Sequence, residues 1–195
     1  MPKQTIHEQD IIEAGKKLLK EKGLSSITMR SVADACHIAV GSLYNYYPSK
    51  GYLLIAIMTS IWTDVAHSGQ DSTQSFIQTV QRLYINIAKG NQEYPLFFFW
   101  HYEGFTEDEK KLLHHQIKTY QTHTKKHLRY ALMHDAKIDM SRFDDTFTID
   151  AFINFVLNNM ISLWMHDETN CHFLLHIIKR LIYIPSKGES HESKY

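Results

Sequence analysis

Nowhere does this chain alternate apolar with polar residues over a long stretch; apolar side chains recur instead at steps of three and four. That is the period of amphipathic helices, and it leaves no run from which a sheet could be built. Only eight glycines and four prolines interrupt 195 residues, so the expected fold is all-α, with about nine helices. Hydrophobic residues make up 44 %, enough to offset the entropy of ordering, which sets intrinsic disorder aside. The length suits one domain of ordinary size, or a small module joined to a larger one.

Helix boundaries follow from caps and breakers. The spacing predicts a first helix from about His7 to Lys22 with Ile11, Gly15, Leu18 and Leu19 on one face, lysines on the others, and Gly23 as a left-handed C-terminal cap. Thr28 is a fit N-cap for a short helix carrying Val32, Ala33 and Cys36. A third helix runs from Val40 to Tyr47 and is stopped by Pro48. Ser49 then caps a fourth, through about His67, with Leu53, Leu54, Ile57, Met58 and Ile61 as its apolar stripe. Residues 68–72 (Ser-Gly-Gln-Asp-Ser) form the clearest linker. Beyond it the pattern predicts helices over about 73–90, 94–105, 106–134, 144–166 and 171–184, with Thr106-Glu107-Asp108-Glu109 as a capping box. Residues 135–142 read as a loop, and 186–195 as a flexible polar tail.

Charge and cysteine usage narrow the function classes. Lysines and arginines equal the aspartates and glutamates, 21 against 21, which argues against a strongly basic coat for nucleic acid. Residues 1–60 nevertheless carry a net +2 and the remainder −2, which leaves room for nucleic acid at the N-terminal end. Cys36 and Cys171 make neither a disulfide framework nor a zinc ribbon. No signal peptide is read, since lysines soon follow Ile11-Ile12. The uncharged stretch Ala151 to Met165 has 15 residues and three asparagines, whereas a membrane span needs about 18–20 apolar residues. The expectation is a soluble cytoplasmic protein without a membrane partner.

Residues 28–47 hold two short helices joined by three residues, the spacing of a helix-turn-helix. The bracing helix needs small apolar residues inside, and Val32, Ala33 and Cys36 supply them. The recognition helix needs a buried anchor and an otherwise polar surface facing the groove. Leu43 is the anchor; Ser42, Tyr44, Asn45 and Tyr46 offer hydroxyls, an amide and flat rings.

The string from Thr28 to Leu54, TMRSVADACHIAVGSLYNYYPSKGYLL, resembles the DNA-binding signature of the TetR family of one-component transcriptional regulators. The match includes Thr28, Val32-Ala33, Ile38, Gly41-Ser42-Leu43-Tyr44, the aromatic pair ending at Tyr47, and Ser49-Lys50. Three positions depart from that pattern. His37 stands where the turn commonly has Gly, so a positive φ must be borne by His, one of the more tolerant residues. Ala39 replaces the usual Ser N-cap of the recognition helix, a loss of roughly 1 kcal/mol. Gly51 replaces the usual acid in the first turn of the fourth helix, where the helix dipole favours a carboxylate.

The resemblance implies a helix-turn-helix head over residues 1–50, a fourth helix (50–67) that connects, and a ligand-binding and dimerisation body over 68–185. It implies that Thr28, Ser42 and Tyr44 face DNA, with Asn45 and Tyr46 as further base or phosphate contacts. Lys50 matches a phosphate clamp at a helix N-terminus. Arg30, the single arginine of the head, is the candidate guanine reader; Tyr47 is read as core and the lysines of the first helix as solvated charge. The implied partner is duplex DNA with a palindromic operator, since a two-headed reader meets half-sites about 34–36 Å apart.

A homodimer fits the last two helices, which carry Phe152, Ile153, Val156, Met160 and Trp164 on one and Phe173, Leu174, Ile177, Ile178 and Leu181 on the other. Aromatic excess suggests a cavity for an apolar or aromatic effector, lined by Trp62, Tyr84, Phe97, Trp100, Tyr120, Phe155 and Asn158. No cofactor and no catalytic set is read. The alternative is a helical metal-dependent hydrolase using His123 and His127, four apart on one helix; Thr124 stands where a zinc protease needs Glu, and no third ligand follows at fixed spacing. The leading expectation is a dimeric repressor released from its operator by a small molecule.

Overall fold

The computed structural model describes residues 6–67, 75–94, 104–166, 168 and 170–185. Eight α-helices occur among them: α1 (Glu8–Lys22), α2 (Met29–Ala35), α3 (Val40–Tyr44), α4 (Lys50–His67), α5 (Phe76–Glu93), α6 (Glu107–His134), α7 (Ile149–Met165) and α8 (His172–Ile182). Two 3₁₀ turns, Leu24–Ser26 and Met140–Arg142, complete the regular structure. The helix expected over 94–105 falls largely on residues 95–103, outside the described residues. None of the described helices is long and apolar enough to cross a membrane.

Contacts divide the chain into two compact units, Met1–Ser68 with Asn86–Thr122, and Gly69–Ile85 with His123–Tyr195. Residues 86–122 thus group with the N-terminal residues rather than with the C-terminal ones.

In the first unit, α1 buries Ile11, Gly15 and Leu19. Glycine at 15 is required by proximity, because a Cβ there would overlap the Ile57 side chain of α4. Gly23 ends α1 with φ 76° and returns its N–H to Leu19 O at 2.9 Å. Its ψ of 177° makes this a positive-φ exit rather than the left-handed helical cap expected. Thr28 and Ser31 exchange bonds reciprocally, Ser31 N–H to Thr28 Oγ1 and Thr28 N–H to Ser31 Oγ, both 3.0 Å; this is a capping box with a serine in the place of Glu or Gln. His37 takes φ 55°, the only positive φ on a non-glycine among the described residues.

Regular α3 ends at Tyr44, not Tyr47. Pro48 disfavours helical geometry at the residue before it, and Tyr47 turns into the core, 5 % exposed, where its hydroxyl donates to Glu8 Oε1 at 3.0 Å. Helix α4 is buried on several sides through Leu53, Leu54, Ile55, Ile57, Ile61, Trp62 and Val65.

In the second unit, α5 begins at Phe76, three residues later than expected, on acceptors supplied from outside its own sequence. Phe76 N–H donates to Asp135 Oδ2 (2.9 Å) and Ile77 N–H to the Tyr183 hydroxyl (3.0 Å), which itself donates to Asp135 Oδ2 (2.6 Å). Helix α7 starts at Ile149 rather than 144, because Asp144 Oδ1 accepts the N–H groups of Thr146 and Phe147, both at 2.7 Å. That side-chain turn competes with helix; Thr148 then caps α7 through Ala151 N–H. Helix α8 stops at Ile182, where Tyr183 bridges to Ile138.

Candidate nucleic-acid interface

The reading head is assembled by burial of one face and exposure of the other. Val32 and Ala33 of α2 and Leu43 of α3 are fully buried, with α2 packed against α1 and the two short helices against each other. Tyr44 (51 % exposed), Asn45 and Tyr46 then stand outward at the end of α3, with Ser42 half-buried between them and the anchor. Gly41 lies open, with nothing near the place of its missing Cβ. Thr28, at the N-cap of α2, and Arg30, in its first turn, are exposed, as is Lys50, the first residue of α4. Neither Arg30 nor Lys50 makes an ion pair among the described residues. Of the seven residues expected from the sequence to meet DNA, six are thus exposed and Ser42 is half-buried.

Two of the seven are partly engaged inside the protein. Thr28 Oγ1 already accepts the Ser31 N–H, and the Tyr46 hydroxyl donates to Ile6 O at 2.7 Å. Tyr46 therefore offers its ring edge more readily than its hydroxyl.

One lysine of α1 corrects the expectation of solvated charge. Lys16 is buried, with Nζ 2.6 Å from Asp64 Oδ2 of α4 and 2.8 Å from Glu13 Oε1. Burial works against its charged form, but the bonds from Asp64 and Glu13 outweigh it and raise the amine above its ordinary 10.5. Its position next to Gly15, on the buried face, was the available signal. Lys20 is exposed and paired with Glu93 at 2.7 Å.

Glu109, expected from the sequence only as part of a capping box, also makes a distant contact. It closes the expected box at the start of α6, taking the Thr106 N–H at 2.8 Å and returning its own N–H to Thr106 Oγ1 at 3.3 Å. Its other oxygen, however, accepts the hydroxyl of Ser49 at the entry to α4. The partner lies 60 residues away, beyond the reach of a local pattern.

The body residues are redistributed. Of the expected dimer face, Phe152, Ile153, Val156, Met160, Leu174 and Ile178 are buried within their own unit. Phe152 packs on Phe76, Phe143 and Phe147, with ring centroids 5.4–6.2 Å apart. Trp164 stacks on Tyr84 at 5.7 Å and Ile177 is half-buried, while Phe173 (78 % exposed) and Leu181 stay outward. The exposed apolar side chains of α7 and α8 are thus Phe155, Ile161, Met165, Phe173 and Leu181.

The residues expected to line an effector cavity fall in both units. Trp62 and Tyr120 meet at 5.8 Å in the first unit. Tyr84, in the second, is buried with its hydroxyl on Glu168 O. Phe155 and Asn158 are exposed; Phe97 and Trp100 lie outside the described residues. A cleft of about 570 Å³ sits in the first unit among Ile12, Tyr46, Tyr52, Ala56, Thr59 and Leu112.

For the metal alternative, no group of three His, Cys, Asp or Glu side chains able to hold an ion occurs among the described residues. His127 instead faces the Arg82 guanidinium at 3.4 Å.

Known proteins agree with the geometry. Residues 11–57 match the model of the bacterial regulatory proteins of the tetR family. The chain is 30 % identical over 89 residues to the HTH-type transcriptional repressor KstR of Mycobacterium tuberculosis, which covers 46 % of this chain and 40 % of that protein. It therefore spans less than half the length of that relative. Its fold is similar to that of BioQ with its natural double-stranded DNA operator, with TM-score 0.58, 16 % identity, and 90 % of this chain and 97 % of the other covered. It is also similar to PfmR, a TetR family transcriptional regulator of Thermus thermophilus, with TM-score 0.54 and 16 % identity, covering 93 % and 99 %. At such identities the likeness is one of fold.

Proposed function

We propose, for a chain whose reading head belongs to the tetR family of bacterial regulatory proteins, that it is a cytoplasmic, dimeric repressor that leaves a palindromic operator when a small molecule binds its body. The observation that carries this reading is the head itself: a braced five-residue α3 whose polar end is exposed, with Thr28 and Arg30 exposed at the start of α2 and Lys50 exposed at the start of α4.

In this reading α3 enters the major groove, with Ser42, Tyr44, Asn45 and Tyr46 against base edges and phosphates. Thr28 and Lys50 sit on the backbone to either side, Thr28 through its hydroxyl and Lys50 through its side-chain charge. Arg30 reads guanine through O6 and N7, or grips phosphate if the approach of α2 keeps it from the groove floor. Two heads meet successive half-sites about 34–36 Å apart, so the pair must be held rigidly. The exposed residues Phe155, Ile161, Met165, Phe173 and Leu181 supply the apolar surface for that pairing. An apolar or aromatic effector, received by the body over residues 68–185, shifts the heads out of register. A coupling of about 1–3 kcal/mol changes operator affinity roughly 5–150-fold.

Selection of bound duplexes from a random pool, followed by titration of the enriched sequence, tests the reading. Enrichment of an inverted repeat that Tyr44→Ala no longer binds is the expected result. Absence of any enriched sequence sinks it.

A further inference from the structure

Helix α4 opens with a deficit. Its first turn contains Lys50, Gly51 and Tyr52 and no acidic residue, although the N-terminal end of an 18-residue helix carries about half a positive charge that a carboxylate would stabilise. Ser49 Oγ accepts from Gly51 N–H (3.1 Å) and Tyr52 N–H (3.4 Å), which satisfies two of the free amides but brings no charge.

The missing charge is present, contributed by a different helix. Glu109, 3 % exposed, lies with its carboxylate against this turn and accepts the Ser49 hydroxyl proton. A Cβ built on Gly51 would overlap that carboxyl group, both its carbon and its oxygens. The carboxylate of α6 thus occupies the volume that an acidic side chain at position 51 would need. No cation pairs with Glu109 among the described residues, so a buried anion is held by a hydroxyl, the Thr106 N–H and the start of two helices. Burial disfavours its charged form, yet the Ser49 and Thr106 bonds prevail and lower its pKa from the ordinary 4.5.

We propose that Glu109 is a positioning residue for the reading head: from the first turn of α6 it provides the anionic cap that α4 lacks in its own sequence, and so fixes where Lys50 is presented. The glycine at 51 and the glutamate at 109 form one device, a carboxylate relocated from α4 to α6. With the anion on its own backbone, α4 would stay capped wherever α6 went. With the anion on α6, any withdrawal of that helix's first turn uncaps α4 next to its proposed phosphate contact. The inference rests on the reading of the head as DNA-binding, but the cap can be measured without DNA.

The test is a rescue cycle on the full chain: wild type, Glu109→Ala, Glu109→Gln, Gly51→Asp, and the double variant Gly51→Asp with Glu109→Ala. Each is followed by thermal unfolding without DNA and by titration with the selected operator. Glu109→Ala removes the anion, and Gly51→Asp drives two carboxylates into one space, so each single variant should unfold earlier and bind on the order of tenfold more weakly. Glu109→Gln keeps the shape but not the charge and should resemble the alanine variant. In the double variant the new aspartate fills the vacated space on α4 itself, and both readouts should return to within about threefold of wild type. Additive losses in the double variant would overturn the proposal, as would wild-type behaviour of both Glu109 variants. Rescue of unfolding with operator affinity equal in all five proteins would reduce Glu109 to a fold-stabilising cap, and overturn its positioning role. If wild type selects no duplex, the DNA reading fails while the unfolding cycle still decides whether the relocated cap exists.

Discussion

Lys50→Ala gives the sharpest quantitative check on how the head meets DNA. Lys50 is exposed at the first position of α4 and makes no ion pair among the described residues, so its charge is available to a phosphate. A lysine at a helix N-terminus opposes the dipole, so alanine there should leave the fold intact and stabilise it slightly, by about 0.3 kcal/mol. Each phosphate contact contributes about 0.9 to the slope of log affinity against log salt concentration. A dimer loses one contact per head, so the slope should become shallower by about 1.8. Between 50 and 200 mM salt, a fourfold change, wild type should therefore lose about twelvefold more affinity than the variant. Fluorescence anisotropy with the selected operator and an unrelated duplex, each at four or five salt concentrations, reads this directly. Both duplexes should respond alike, since a phosphate contact carries no sequence information. An unchanged slope removes Lys50 from the DNA contacts; a change of about 0.9 means that only one head engages.

Other variants probe the turn, the dimer and the buried lysine. His37→Gly relieves a left-handed residue costing about 1–2 kcal/mol, less the added freedom of glycine when unfolded. The net gain of about 0.5–1 kcal/mol should raise the melting temperature by a few degrees, and a fall would show that the His37 side chain holds the turn. Ala39→Ser supplies the side-chain acceptor that the N-cap of α3 lacks and should add about 0.5–1 kcal/mol, visible in denaturant midpoints; no gain means that the α3 amides are already satisfied. Phe173→Asp places a charge on the most exposed large apolar side chain of α8 and should convert a sedimenting dimer to monomer without lowering helix content; a persistent dimer moves the interface elsewhere. Lys16 is raised above its unfolded value of 10.5, so its contribution is complete below that pH and is lost as pH rises through the folded value. The stability gap between wild type and Lys16→Met should therefore narrow above about pH 10.5, and a gap that holds constant there would deny the charge any part.

Much of the head could be read locally, because its determinants lie within a few residues of one another. Thr28, Gly23, Pro48 and the Thr106–Glu109 box act across four residues or fewer, and the positive φ at His37 was implied by the family resemblance, which has Gly at that place in the turn. What escaped was set by partners far along the chain. Phe152 and Phe155 are three apart and equally apolar, and only the placement of Phe76, Phe143 and Phe147 makes the first core and leaves the second outside. Lys16 resembles its neighbour Lys17 until Asp64 is beside it. The late start of α7 was legible in principle, since Asp144 followed two residues on by Thr146 is a side-chain turn, but the apolar run that follows masks it.

The contact between α1 and α4 bears on how the N-terminal head could be grafted. A Cβ at Gly15 would meet the Ile57 side chain and force it to shift, and the Lys16 ammonium is completed by Asp64, almost the full length of α4 away from Ser49. A hybrid that transplants only the segment up to Pro48 onto a foreign body would strand that ammonium and present Gly15 to an unmatched surface. The seam for a graft therefore belongs past residue 64, and the donor's α4 must travel with the head as its keel.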